Sequence, residues 1–152
     1  MVARNKYPEG TIFAVPLRIG GFARGLVARV NPRAACVFGY FFGPKLPELC
    51  QGDATDFKPN SAIARLICGD LGLINGEWQI FGQLPDWQRH EWGMPDFVRR
   101  DTIGKRAWRV RYSDVDPSQV VGEAPVDFDS DLPNNLSSGY GAVELKLTAL
   151  LS

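Results

Sequence analysis

Histidine, cysteine and paired carboxylates carry most enzyme chemistry near neutral pH, and this chain is sparing with the first two. It has one histidine, His90, and three cysteines, Cys36, Cys50 and Cys68, with no Cys-x-x-Cys pair among them. Zinc proteases and binuclear hydrolases need several imidazoles or thiolates at set spacing, and the gaps between these four residues follow no such pattern. A Ser/His or Cys/His nucleophile would depend on His90, which sits between Arg89 and Glu91 in a tryptophan-rich stretch and reads as an exposed loop residue. Gly20, Gly21 and Gly25 follow a strand-like run, but no Lys-Ser or Lys-Thr succeeds them, so they read as turn glycines rather than a phosphate cradle. Asp114 and Asp116, or Asp127, Asp129 and Asp131, are the remaining candidates, suited to acid–base work or calcium. The Asp-x-Asp-x-Asp-Gly loop with its distal Glu is missing, and a solvated acidic loop is the expectation. No catalytic residue, no metal and no cofactor are therefore expected.

The elements that would position these residues are mostly strands. Thr11–Val15 is β-branched and aromatic, and Pro16 places it near a sheet edge or a strand end. Gly20-Gly21 reverses the chain into Leu26–Val30, which Asn31-Pro32 closes. Ala35–Phe42 is apolar on both faces and fits a central strand covered on two sides. Residues 45–61 read as loop. Asn75-Gly76 between apolar runs signals a hairpin joining Leu73-Ile74 to Glu77–Gly82. The stretch from Trp87 to Arg106 looks irregular, and Ala107–Tyr112 alternates as a half-exposed strand does. Residues 141–151 satisfy both periods, but Ala, Leu, Glu and Lys favour a helix with Val143, Leu147, Leu150 and Leu151 on its buried stripe, capped by Ser137 or Ser138. The expected fold is α+β: a twisted, mainly antiparallel sheet, built from an N-terminal meander plus a hairpin, with one C-terminal helix packed on it.

The 152 residues suit a single domain over 1–152, large enough to build a core without disulfides. An odd number of cysteines suits reduced, buried thiols. Neither a long apolar run nor an apolar stretch after Met1 is present, so a cytoplasmic protein without membrane contact is expected. Seventeen basic and seventeen acidic residues cancel, which argues against a dedicated nucleic-acid binder. The cancellation hides an asymmetry, because residues 1–33 carry six basic side chains and one acid while residues 112–152 carry one basic side chain and seven acids.

Gly10–Leu17 with Gly21-Phe22, Gly25 and Val27, then Trp78–Gly82, Met94–Phe97 and Gly139–Glu144, together resemble the immunity protein 26 family of bacterial polymorphic-toxin and contact-dependent-inhibition systems. The resemblance implies an antidote that binds one cognate toxin domain and occludes its active or substrate-binding surface without chemistry of its own. Some relatives carry an organophosphate-hydrolase label, which would need an activated water; a lone histidine does not suit it. Within the shared motifs Pro16, Gly25 and Gly82 read as turn-setting, and Phe13, Val15, Phe38 and Trp78 as core. A small-barrel adaptor for peptides or RNA is a third reading, carried by Trp108, Arg109 and Arg111.

For the toxin-binding surface the candidates are Trp87 and Trp92, in a segment whose lack of period does not demand burial and for which packing over the sheet edge is the equal alternative, and Asp114, Asp116, Glu123, Asp127, Asp129 and Asp131. Exposed aromatics make interface anchors. Acids with few basic neighbours in sequence can steer association with a cationic cleft, as a nuclease toxin would present. The basic meander around Arg18, Arg24 and Arg29 is the alternative surface.

Overall fold

A computed structural model describes residues 7–48, 56–135 and 139–152. Strands β1 (Thr11–Pro16), β2 (Phe22–Asn31) and β3 (Cys36–Leu46) form the expected antiparallel meander. Strand β4 (Ala64–Gly69) adds to β3, and β5 (Ile80–Gln83) adds to β1, giving one sheet in the order β4-β3-β2-β1-β5. Strand β5 pairs only with Thr11 to Phe13, so Pro16, which lacks an N–H, stands at the strand end where no ladder bond is missed.

Alternation along β1 to β4, shifted once by a bulge in β2, divides two cores. Phe13, Val15, Val27, Val37, Phe41, Leu66 and Cys68 face one way, against Leu73, Trp78, Val143 and Leu147. Ile12, Leu26, Ala28, Phe38, Tyr40, Phe42 and Ile67 face the other, against Phe57, Trp92 and Phe97. The near-continuous apolar run of β3 thus reports a strand covered on both sides. Cys36 and Cys68 are both free and buried, and they lie in opposite cores, so the sheet itself separates them. Cys50 and the Ser137/Ser138 cap lie outside the described residues.

A helix and a second sheet supply the two covers. The helix α2 (Tyr140–Leu151) buries Val143, Glu144 and Leu147, while Leu150, expected on the buried stripe, is 50% exposed. Its first residue follows Gly139, which makes no side-chain cap. The second sheet is β6 (Phe97–Asp101), β7 (Arg106–Ser113) and β8 (Asp116–Val126), in that order. Phe97 meets Phe38 edge-on with centroids 5.8 Å apart, joining the two sheets.

Three expectations are corrected. Asn75-Gly76 is not a hairpin: Leu71–Asn75 is a short helix, α1, and Gly76 ends it at φ 84°, the left-handed stop that glycine favours. The Trp87–Arg106 stretch contains β6, and the acidic tract contains β8, an eleven-residue strand. Gly82, expected to set a turn, lies inside β5 opposite Ile12, and Gly25 likewise lies inside β2 opposite Phe13. A Cβ there would come within 2.3 Å of the Phe13 ring, which stacks in parallel on Trp78 at 5.4 Å.

Candidate interaction surface

The loop between β5 and β6 carries the two candidate tryptophans. Trp92 is 3% exposed and packs edge-on against Tyr40 and Phe42, at 5.0 and 6.1 Å between ring centroids. Trp87 is half-buried, stacks on Trp92 at 6.2 Å, and lies over Gly10, where a Cβ would approach its ring to 3.0 Å. Of the two readings of Trp92, the structure takes the packed one and not the exposed anchor. Burial of so large an apolar ring on the open face of the first sheet is favourable, and Trp87 alone of the pair keeps part of its surface in solvent.

The acids differ from expectation in having partners. A bulge in β2 between Val27 and Arg29 places Arg29 opposite Phe38, on the face of the second core, the re-aiming that an extra residue produces. There Arg29, 2% exposed, donates from Nε to Asp114 Oδ1 at 3.0 Å, with Nη2 2.9 Å from the same oxygen. Its Nη1 donates to the Ala28 and Trp92 carbonyls at 2.7 and 3.2 Å. Arg89 donates to the other Asp114 oxygen and to the Asp114 carbonyl, and its Nε reaches Glu9 at 2.9 Å. Glu9, Arg89, Asp114 and Arg29 thus form one chain of alternating charge that clamps the turn between β7 and β8 onto the first sheet. Partial burial pushes the Asp114 carboxyl up, but hydrogen bonds from Arg89 and Arg29 outweigh it and hold the group below its ordinary 3.8.

Asp116 accepts from Asn31 Nδ2 at 2.8 Å and from the Ser118 hydroxyl at 2.6 Å. Those bonds hold its carboxyl below the ordinary value. Glu123 pairs with Arg99 at 3.1 Å, and the Arg99 guanidinium lies 4.3 Å over the Trp108 ring. Asp127, Asp129 and Asp131 are exposed, while Arg100 grips the backbone between them through the Phe128 and Ser130 carbonyls. The candidates therefore fall into two groups: Trp87, Trp92 and Asp114 share one junction, with Asp116 beside it through Asn31, whereas Glu123 and the last three aspartates belong to the arginines of β6.

The alternative basic surface does not exist as expected. Arg24 and Arg29 are each 2% exposed. Arg24 is held by Asp56 through two bonds of 2.8 and 2.9 Å, by the Gly43 carbonyl at 2.7 Å, and over the Phe57 ring. Arg18 remains at the surface, 3.1 Å from Glu144.

As chemistry, this is an arrangement that fixes surfaces. Asp114 Oδ1 takes both its donors from Arg29 and Oδ2 takes one from Arg89, so the carboxylate is held in an ion-pair chain. His90 is exposed. Among the described residues, no group of three or more His, Cys, Asp or Glu stands where it could hold a metal ion. Burial, with smaller pushes from Asp116 and Asp70, raises the Cys36 thiol to about 11. Burial raises Cys68 further, which leaves little thiolate for attack on anything.

The family model described as immunity protein 26 matches residues 8–109, about two thirds of the 152-residue chain. The chain belongs to the immunity protein 26 family. No curated protein matches it, and no solved structure does. In this immunity protein 26 member the matched residues take in all of the first sheet, β6 and the first half of β7. Strand β8, the acidic tract and α2 lie beyond the match. No helix among the described residues is long and apolar enough to cross a membrane.

Sequence reasoning missed β8 as a strand, although it named two of its residues, Asp116 and Glu123, as surface candidates. Its Pro117, Ser118, Gly122 and Pro125 are loop residues by composition, and the residual signal was the Val120-Val121 pair between them.

Proposed function

We propose that this protein is a cytoplasmic immunity protein that binds one cognate toxin domain and neutralises it by covering the toxin's active or substrate-binding surface, with no catalytic step of its own. Membership of the immunity protein 26 family carries this reading. The engagement of Asp114, Asp116 and Glu123 in internal pairs supports it, since these carboxylates build a rigid surface rather than a reaction centre.

The test is a titration of toxin activity with the purified full chain, using the toxin domain encoded by the neighbouring reading frame. Inhibition should be complete at molar equivalence, with a one-to-one complex on size exclusion. Loss of toxin activity at a small fraction of equivalence would mean turnover, and would replace this reading by the hydrolase one.

A nuclease is the toxin class we propose. Asp127, Asp129 and Asp131 are exposed, and a cationic substrate cleft would be steered by them. Replacing the three by asparagine should slow association, and the slowing should fade at high salt. An unchanged association rate at low salt would remove the argument for a nuclease.

A further inference from the structure

The second sheet has one closed edge and one open edge. On the β6 side, the Val98 N–H donates to the Pro133 carbonyl at 2.8 Å and the Asn135 N–H to the Val98 carbonyl at 3.0 Å, so residues 133–135 occupy that edge. On the other side β8 ends the order β6-β7-β8, and Ser118 through Glu123 are exposed at every position. Proteins usually blunt an open edge with a lysine, a proline or an inward-pointing charge. Here register shifts opposite Arg111–Tyr112 and Tyr112–Ser113 bend the first half of β8, and Pro117 and Pro125 stand towards its two ends; from Gly122 to Val126 the pairing with β7 is unbroken and holds no lysine.

The register shows which way this edge points. Pro125 pairs with Trp108, Ala124 with Arg109 and Glu123 with Val110, without interruption. Proline fits an edge strand with its nitrogen turned away from the ladder. Alternation then turns the Glu123 N–H to the open side as well.

Charge supplies the specificity. Gly122 lies opposite Arg111 and Ala124 opposite Arg109. A Cβ added at Gly122 would meet nothing within 4 Å, so no side chain of β8 covers Arg111 there. The two guanidiniums, 51% and 67% exposed, share the single Asp96 carboxylate at 3.7 and 3.3 Å. A groove of about 320 Å³ runs from them across Gly122 and Ala124 to Val121.

We propose that β8 is the docking edge for the toxin: an extended strand of the partner pairs along Gly122–Val126, where the ladder is unbroken, and sets alternate carboxylates against Arg109 and Arg111. This deepens the immunity reading and rests on it. A second copy of this chain is the poorer occupant. Another β8 would present Gly122 and Ala124 on that face, and its Glu123 is turned to the other face, towards Arg99. RNA would bring anions to the arginines but no peptide ladder to the open edge.

The probe that tests the edge is a short capped peptide of alternating glutamate and valine, titrated into the isotope-labelled full chain and followed by amide chemical shifts. The amides of Gly122, Glu123, Ala124 and Val126 should shift, the Glu123 amide should gain exchange protection, and the lysine–valine counterpart should do neither. Glu123→Pro removes one outward donor without touching the β7 ladder, and should weaken binding about tenfold or more, while Glu123→Gln stays within about twofold. R109S/R111S, which changes exposed side chains only, should also weaken binding about tenfold or more, and high salt should act in the same direction. Melting curves matching the parent verify that each variant is folded. Equal response to both peptides, shifts confined to another surface, or undiminished binding by R109S/R111S would overturn the proposal. So would self-association through residues 122–126, or tighter binding of oligouridine at the same amides. None of these measurements uses the toxin, so failure of the edge and failure of the stoichiometric titration are read separately.

Discussion

Gly25 occupies the one position in β2 where the Phe13 ring leaves no room for a side chain. Phe13 in turn lies flat on Trp78, and Phe41 meets both rings edge-on at 5.8 and 6.3 Å. Gly25→Ala should therefore destabilise by about 1–3 kcal/mol through overpacking, seen as a lowered denaturant midpoint with an unchanged slope. The core roles of Phe13, Val15, Phe38 and Trp78 were legible from residue type, and each is 0% exposed. The role of Gly25 was not, because composition cannot separate a turn glycine from one that seats an aromatic ring on the neighbouring strand. Asp114 was legible as an acid but not as a clamp, since Arg29 comes from a strand far away in sequence and Arg89 from a loop. Its folded carboxyl sits below 3.8, so its contribution is present above that value and lost as pH falls through the folded one. Asp114→Asn should thus cost about 1 kcal/mol at neutral pH, since solvent reaches a carboxylate that is 61% exposed and screens its pairing with Arg29. The gap to the parent should close as the solution is acidified; a gap that is constant with pH would contradict the clamp. The thiols offer a separate check: Cys36 and Cys68 should react with a thiol reagent only on unfolding, and modification of either in the native protein would show that it is not sealed in its core.

Among the elements, the meander and α2 were readable because their patterns are long. Strands β1 and β2 are apolar runs bounded by Gly10, Gly20-Gly21 and Asn31-Pro32, and the composition of residues 141–151 decided a choice that period left open. Leu147 is 0% exposed, and Leu147→Ala should cost about 2–5 kcal/mol; a loss under about 1 kcal/mol would mean that the helix contributes little packing. Strand β8 was unreadable for the opposite reason: its residues Ser118 to Glu123 are exposed, so burial imposes no alternation on them. Asn75-Gly76 failed as a hairpin signal because a left-handed glycine ends a helix as readily as it turns a strand. The acidic candidates illustrate the same limit, since their partners were set by strands that the sequence did not announce.

Across the whole molecule the charge asymmetry of the chain becomes internal pairing. Basic or amide groups near the start meet acids near the end: Arg29 with Asp114, Asn31 with Asp116, and Arg18 with Glu144. The asymmetry was visible in the sequence; its cancellation across the fold was not, because it depends on which strands adjoin. These links, with the Phe38–Phe97 contact, tie the second sheet and the helix to the first sheet. Heating should therefore unfold all three together, with coincident transitions in near-ultraviolet and far-ultraviolet circular dichroism. A second sheet that melts first would show that the clamp does not couple them.

Trp78 also turns this architecture into an optical instrument. Its indole N–H donates to the Glu144 carboxylate of α2 at 3.0 Å, while the ring is 0% exposed. Lifting the helix would remove that acceptor and admit water to the ring, so the emission of this one tryptophan would move to longer wavelength. With Trp87, Trp92 and Trp108 replaced by phenylalanine, and folding verified, fluorescence would follow the seating of α2 in real time, including while a partner strand settles along the far side of the molecule.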